Sequence, residues 1–215
     1  MSPRALSPQS VLNGMNPRTL SALSLLDDLR HAATEVLERK RKYPALLLLY
    51  SFIDICASLA QESPAKSNRA RFESYVLNYA LVGWTTFKPY DLWAARSSLL
   101  HTYSPLGEQT EKPNGATPIF YVAWPETEAV TRESLASRGY SDFIVLDIQT
   151  IKHIAISAFN ALWSRIESDA AFEAIFRANA EHLLKDLFQH RLEKELTVLD
   201  ELAQLGRQQA GQQTD

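Results

Sequence analysis

Apolar positions recur at helical spacing through most of this chain. From Leu20 to Lys42, Leu23, Leu26, Leu29 and Ala33 fall three or four residues apart. That spacing predicts an amphipathic helix closing on the basic run Arg39-Lys40-Arg41-Lys42, a favourable charge at a helix C-terminus. Pro44 suits the first turn of a second helix running to about Gln61, apolar nearly all round and therefore central in a bundle. After a polar loop from Ser63 to Asn68, a third helix is predicted over 69–82, with Phe72, Tyr75, Val76 and Tyr79 on one side. Gly83 to Lys88 links it to a fourth, which starts near Pro89, carries Leu92, Trp93, Ala95, Leu99 and Leu100, and ends at Pro105 and Gly107.

The pattern then changes. Beyond a polar loop over 107–118, Ile119 to Trp124 and Phe143 to Ile148 have strand composition, with a short helix between them over 127–138. Two such strands make a ribbon that is marginal alone, so it is expected to pack against the bundle. A fifth helix is predicted over 150–168, with Ile154, Ala158, Ala161, Leu162 and Ile166 inward. A sixth, whole or broken, spans 170–205, and its leucines from Leu183 to Leu202 form a face that also suits a subunit contact. The expected organisation is a flexible arm over 1–17, one helical-bundle domain over 18–203 with a strand-containing insert at about 117–148, and a flexible tail over 204–215. The fold class is mainly α.

Composition narrows this picture. With 46% apolar residues in 215, a sizeable core is available, and seven glycines are too few for the turns of an all-β fold. The net charge of −3 supplies no general attraction to nucleic acid, so any RNA contact must come from a local patch. The single cysteine, Cys56, lies in an apolar run and reads as a small buried hydrophobe; alone it builds neither a disulfide nor a thiolate metal site. No secretory signal is visible. The most apolar stretch, Ala45 to Ala60, contains Asp54 and is shorter than the ~20 residues of a spanning helix. A soluble cytoplasmic protein with no membrane partner is expected.

No phosphate-binding glycine loop, paired-histidine zinc helix or nucleophile elbow occurs, so neither a metal nor an organic cofactor is expected. Of the histidines, His182 and His190 share one predicted helix and read as solvated polar positions. What remains is Arg96-Ser97-Ser98-Leu99-Leu100-His101-Thr102-Tyr103, which places an arginine and a histidine at the end of an apolar helix.

The order Arg, a polar residue (Ser97), three further residues, then His resembles the signature of HEPN domains. These are helical bundles, many of them metal-independent ribonucleases. The surroundings, Tyr90 to His101, the preceding Arg71-Phe72-Glu73-Ser74-Tyr75-Val76 segment and a late helix near Trp163, are also similar to helices of that superfamily. The likeness covers residues 20–170 loosely and is specific over 90–103. The longer form, Arg-x4-His-x-Tyr ending at Tyr103, resembles HEPN toxins paired with a small nucleotidyltransferase antitoxin. The resemblance implies a HEPN-like bundle, endoribonuclease activity in a toxin–antitoxin or phage-defence setting, a homodimer, RNA as substrate and an antitoxin protein as partner. The alternative is a non-catalytic HEPN-like module that binds RNA, a nucleotide or another protein.

The chemistry is consistent with the residue types. RNA is cut without metal when its 2′-hydroxyl attacks the adjacent phosphate, leaving a 2′,3′-cyclic phosphate and a 5′-hydroxyl. His101 is the natural base near neutral pH, and Arg96 offers a planar fork of donors to the phosphate. On a regular helix the two lie roughly 140° apart around the axis. Either the helix distorts before Pro105, or a second copy completes the site across a two-fold axis. Asp54, an acid in an apolar helix, needs a partner, and Arg96 is a candidate. Such a pair either orients the arginine for catalysis or serves structure alone. On the structural reading, His101 caps the helix C-terminus and Tyr103 is a packing residue; on the functional one, Tyr103 is the nucleotidylation target of the paired toxins.

Overall fold

A computed structural model describes residues 16–63, 67–80, 86–102, 104–110, 115–183 and 185. The protein is mainly helical, with one small two-stranded sheet. Helix α1 (Pro17–Glu38) begins three residues before the apolar pattern does. Asn16 accepts a hydrogen bond from Arg18 N at 2.9 Å and Pro17 takes the first helical position, so 16–17 cap a helix rather than extend an arm. The helix also stops short of the basic run. Arg41 N donates to Val36 O and Lys40 N to Leu37 O, a Schellman closure with Lys40 in the left-handed region at φ 61°.

Helix α2 (Lys42–Leu59) carries Pro44 in its first turn and is the centre of the bundle. Leu46, Leu49, Tyr50, Phe52, Ile53 and Cys56 are buried on it. By length and composition it is the one described helix apolar enough to cross a membrane, and half of that window is buried inside the protein. Helix α3 (Asn68–Tyr75) is capped by Ser67, which accepts from Ala70 N, and continues as a π-helical turn, Val76–Ala80. The 69–82 prediction therefore holds as helix up to 80 but not as a single α-helix. An i→i+5 turn aligns residues five apart, so that Tyr75 and Ala80 both reach the core.

Helix α4 (Pro89–Thr102) is followed by β1 (Ile119–Val122), a short 3₁₀ turn (Pro125–Thr127), α5 (Glu128–Ser137) and β2 (Ile144–Asp147). The strands pair in parallel, Ile119 opposite Ile144 and Val122 opposite Asp147. The ribbon is thus a β-α-β unit, because α5 carries the chain back to the same end of the sheet. A small second cluster of Val122, Leu135 and Val145, joined by Phe120, Tyr140 and Phe143, holds α5 on the sheet. Asp147 ends β2 and caps α6 (Ile148–Ser168), accepting from Gln149 N. Residues 170–183 form α7, and the leucine face predicted beyond Leu183, like the arm before residue 16 and the tail, lies outside the described residues.

One core joins these elements. It runs from Leu23 and Leu26 of α1 through α2 and α3 to Leu92 and Leu99 of α4, Ile119 and Leu146 of the sheet, and Ile151, Leu162, Phe172 and Phe176 of α6 and α7. Polar ties fix the last helix: Asn179 donates to Leu59 O and Gln61 O, and Thr19 Oγ1 donates to Glu173 at 2.7 Å.

Candidate functional site

Helix α4 starts with a capping device absent from the sequence reading. Buried Asp91 accepts from Lys88 N at 2.7 Å with one oxygen and from Thr117 N at 2.9 Å with the other. One carboxylate thus satisfies the start of the helix and pins the approach to β1 beside it. Beyond the helix the chain folds back tightly: a Cβ on Gly107 would lie 2.6 Å from Ser98 Oγ, so glycine permits the loop to press on α4 there.

Asp54 and Arg96 do meet. Arg96 donates through Nε at 2.7 Å and Nη2 at 2.6 Å, both to Asp54 Oδ2, and the two side chains are 22% and 23% exposed. The Arg96 guanidinium also lies over the Trp93 ring, 4.9 Å from its centroid, and Trp93 packs on Phe72 at 5.5 Å. Carboxylate and indole together hold the arginine in one orientation. Burial raises the Asp54 pKa, and the positive charges of Arg96 and Arg71 only partly offset it. Arg71, on α3, is a second cation near the same carboxylate that the residue pattern did not single out.

His101 is exposed in the last turn of α4, and Leu100 beside it is 39% exposed. Ser97 is half-buried, four residues before His101 and on the same stripe. The helix is regular from Pro89 to Thr102. Arg96 and His101 therefore stay roughly 140° apart around the axis, and the distortion that would focus both within one subunit does not occur. Tyr103 lies outside the described residues. One chain by itself brings Asp54 and Arg96 together and leaves His101 apart.

One turn before Asp54 on α2, the Tyr50 hydroxyl hydrogen-bonds that of Tyr121 on β1. Burial pushes both phenol pKa values up. Cys56 is buried and its thiol is pushed up to about 12 by desolvation, which makes it inert at neutral pH. Beside it, the buried Tyr75 hydroxyl lacks a well-formed hydrogen bond. Among the described residues no three His, Cys, Asp or Glu side chains gather as a metal site requires.

No family model, curated protein or solved structure matches this chain.

Proposed function

We propose that this protein is a HEPN-like, metal-independent endoribonuclease that acts as a two-fold homodimer. The observation that supports this reading is the state of Arg96. Asp54 and Trp93 pre-orient it, and its Nη1 side makes no hydrogen bond to a described residue. A guanidinium held that way has donors left for a phosphate. His101, exposed at the end of the same helix, supplies the base from the partner copy. The 2′-oxygen loses its proton to the imidazole and bonds to phosphorus. The bond to the 5′-oxygen breaks, and that oxygen leaves as a hydroxyl after taking up a proton.

Purified protein is expected to cut RNA in the presence of chelator and to leave cyclic phosphate ends. His101→Ala, at an exposed position, should abolish cleavage without changing the melting temperature. Arg96→Lys should keep the pair with Asp54 in part and lose most of the activity, because an ammonium lacks the fork. Equal cleavage by wild type and both variants overturns the reading. In sedimentation the active species should be a dimer. A toxin or defence role adds one expectation: a nucleotidyltransferase partner, given a nucleoside triphosphate, adds a nucleotide mass at Tyr103.

One observation favours a second reading, a module that binds RNA, a nucleotide or a partner protein without cutting. Asp54 already takes two of the arginine's donors. Binding of RNA by wild type with no chelator-resistant cleavage selects it.

A further inference from the structure

Away from the Arg96–Asp54 pair, an open pocket of about 420 Å³ runs along the edge of β1 that β2 does not cover. Ala95 and Leu99 of α4 form part of its wall, and Ser104 and Pro105, just past the helix, line it too. It therefore opens at the same end of α4 as His101 but on another side, since Leu99 and His101 are roughly 160° apart around the axis. The lining is mostly carbon. Tyr43 and Trp124, 43% and 39% exposed, border it. Thr127 and Thr131 add hydroxyls.

Cations collect at these rings. Lys42 Nζ lies 4.7 Å from the Tyr43 ring centroid and donates to Tyr121 O at 3.1 Å. Lys40 Nζ lies 5.0 Å from the Trp124 ring centroid. Arg41, the residue between them in sequence, is exposed, while Arg39 is paired with Glu35. Of the two acids between Trp124 and Thr131, Glu128 is paired with Arg132 and Glu126 is exposed.

Lys40 is the informative residue. Its φ of 61° is the left-handed conformation that costs any residue with a Cβ and that glycine takes readily. The same closure at the end of α5 uses glycine: Tyr140 N donates to Leu135 O, Gly139 N to Ala136 O, and Gly139 has φ 87°. At the α1 end a lysine stands in the strained position with its ammonium over Trp124.

We propose that this pocket binds one nucleotide of single-stranded RNA, its base against Tyr43 and Trp124 and its backbone phosphates on Lys40, Arg41 and Lys42. The inference rests on the RNA reading above and assigns it a docking site separate from the Arg96 and His101 chemistry. The volume is within the range of small-ligand pockets. Aromatic platforms flanked by cations are what single strands require, because every base has a face to stack and every phosphate a charge. The Lys40 ammonium resting on Trp124 can transfer to an incoming phosphate and uncover that face of the indole.

The test uses the full chain with His101→Ala, so that RNA stays intact, and a fluorescent short single-stranded oligoribonucleotide followed by anisotropy. Trp124→Ala is expected to weaken binding about tenfold. Lys40→Gly should also weaken binding and lower the slope of log affinity against log salt by about 0.7. It should at the same time raise the melting temperature by a few degrees, because glycine relieves the strain. Unchanged RNA affinity in both variants overturns the pocket, whatever the cleavage assay shows. No RNA binding by the parent protein overturns it as well. Pocket-dependent binding by a wild-type protein that does not cleave RNA upholds the pocket and overturns the ribonuclease.

Discussion

Two pairs sit one turn apart on α2, Tyr50 with Tyr121 and Asp54 with Arg96, and they are built on opposite terms. Tyr50 is fully buried, and its hydroxyl meets that of half-buried Tyr121. Asp54 and Arg96 keep about a fifth of each side chain exposed. A neutral pair can be buried because each hydroxyl finds a partner in the other, and a neutral group costs far less to desolvate than a charge. A charged pair loses more by leaving water than it regains, so it stays near the surface. The raised pKa of Asp54 records that balance: burial outweighs the attraction of Arg96. The first pair therefore joins the sheet to the bundle, and the second holds a cation where solvent reaches it.

Substitutions separate the two. Tyr50→Ala should cost about 3–5 kcal/mol in urea unfolding, since it empties a core site that also packs Phe72 at 6.5 Å. Asp54→Ala should cost less, about 2 kcal/mol, by leaving the Arg96 charge without its partner. A larger loss than for Tyr50→Ala would reverse the comparison. Tyr50→Phe should cost about 1 kcal/mol because it strands the Tyr121 hydroxyl, and adding Tyr121→Phe should recover most of that. A double variant as unstable as the sum of the singles would deny the pairing.

The smallest effect is the pH dependence at Asp54. Its folded pKa lies above the ordinary 3.8. The stability this carboxyl contributes is full below that value and is lost as pH rises through the raised one. Wild type should therefore lose stability relative to Asp54→Asn as pH rises across that window. Asp147, raised in the same direction, cancels in the difference. A difference that grows in favour of wild type as pH rises would show that Arg96 outweighs burial after all.

Helices α1 to α6 were legible from spacing, and their ends less so. Asn16-Pro17 was a readable start signal hidden in a stretch that looks like an arm. The stop at Glu38 was unreadable, because it depends on a lysine taking a backbone conformation that composition reserves for glycine. The π turn at Val76–Ala80 likewise leaves no trace in a pattern read at helical spacing. For the site, Asp54, Arg96 and His101 stand out as polar residues on apolar helices. Arg71, Asp91 and Trp124 do not, since a charge on a helix and a strand-end tryptophan are ordinary in sequence, and the basic run that holds Lys40 and Lys42 reads only as a helix end.

The sequence by itself determined the helices and posed the question at α4, since five residues on a regular helix do not bring Arg96 and His101 to one side; the structure decided that the helix stays regular. Only the tertiary structure decided the partners. Asp54 and Arg96 are 42 residues apart and Tyr50 and Tyr121 are 71 apart. Such contacts follow from how α2 packs against α4 and β1, which no local period encodes. The same packing aligned the strands in parallel and brought Lys40, just after α1, to Trp124. Long-range contacts are chosen by burial of the whole core, and that is what brought these side chains together.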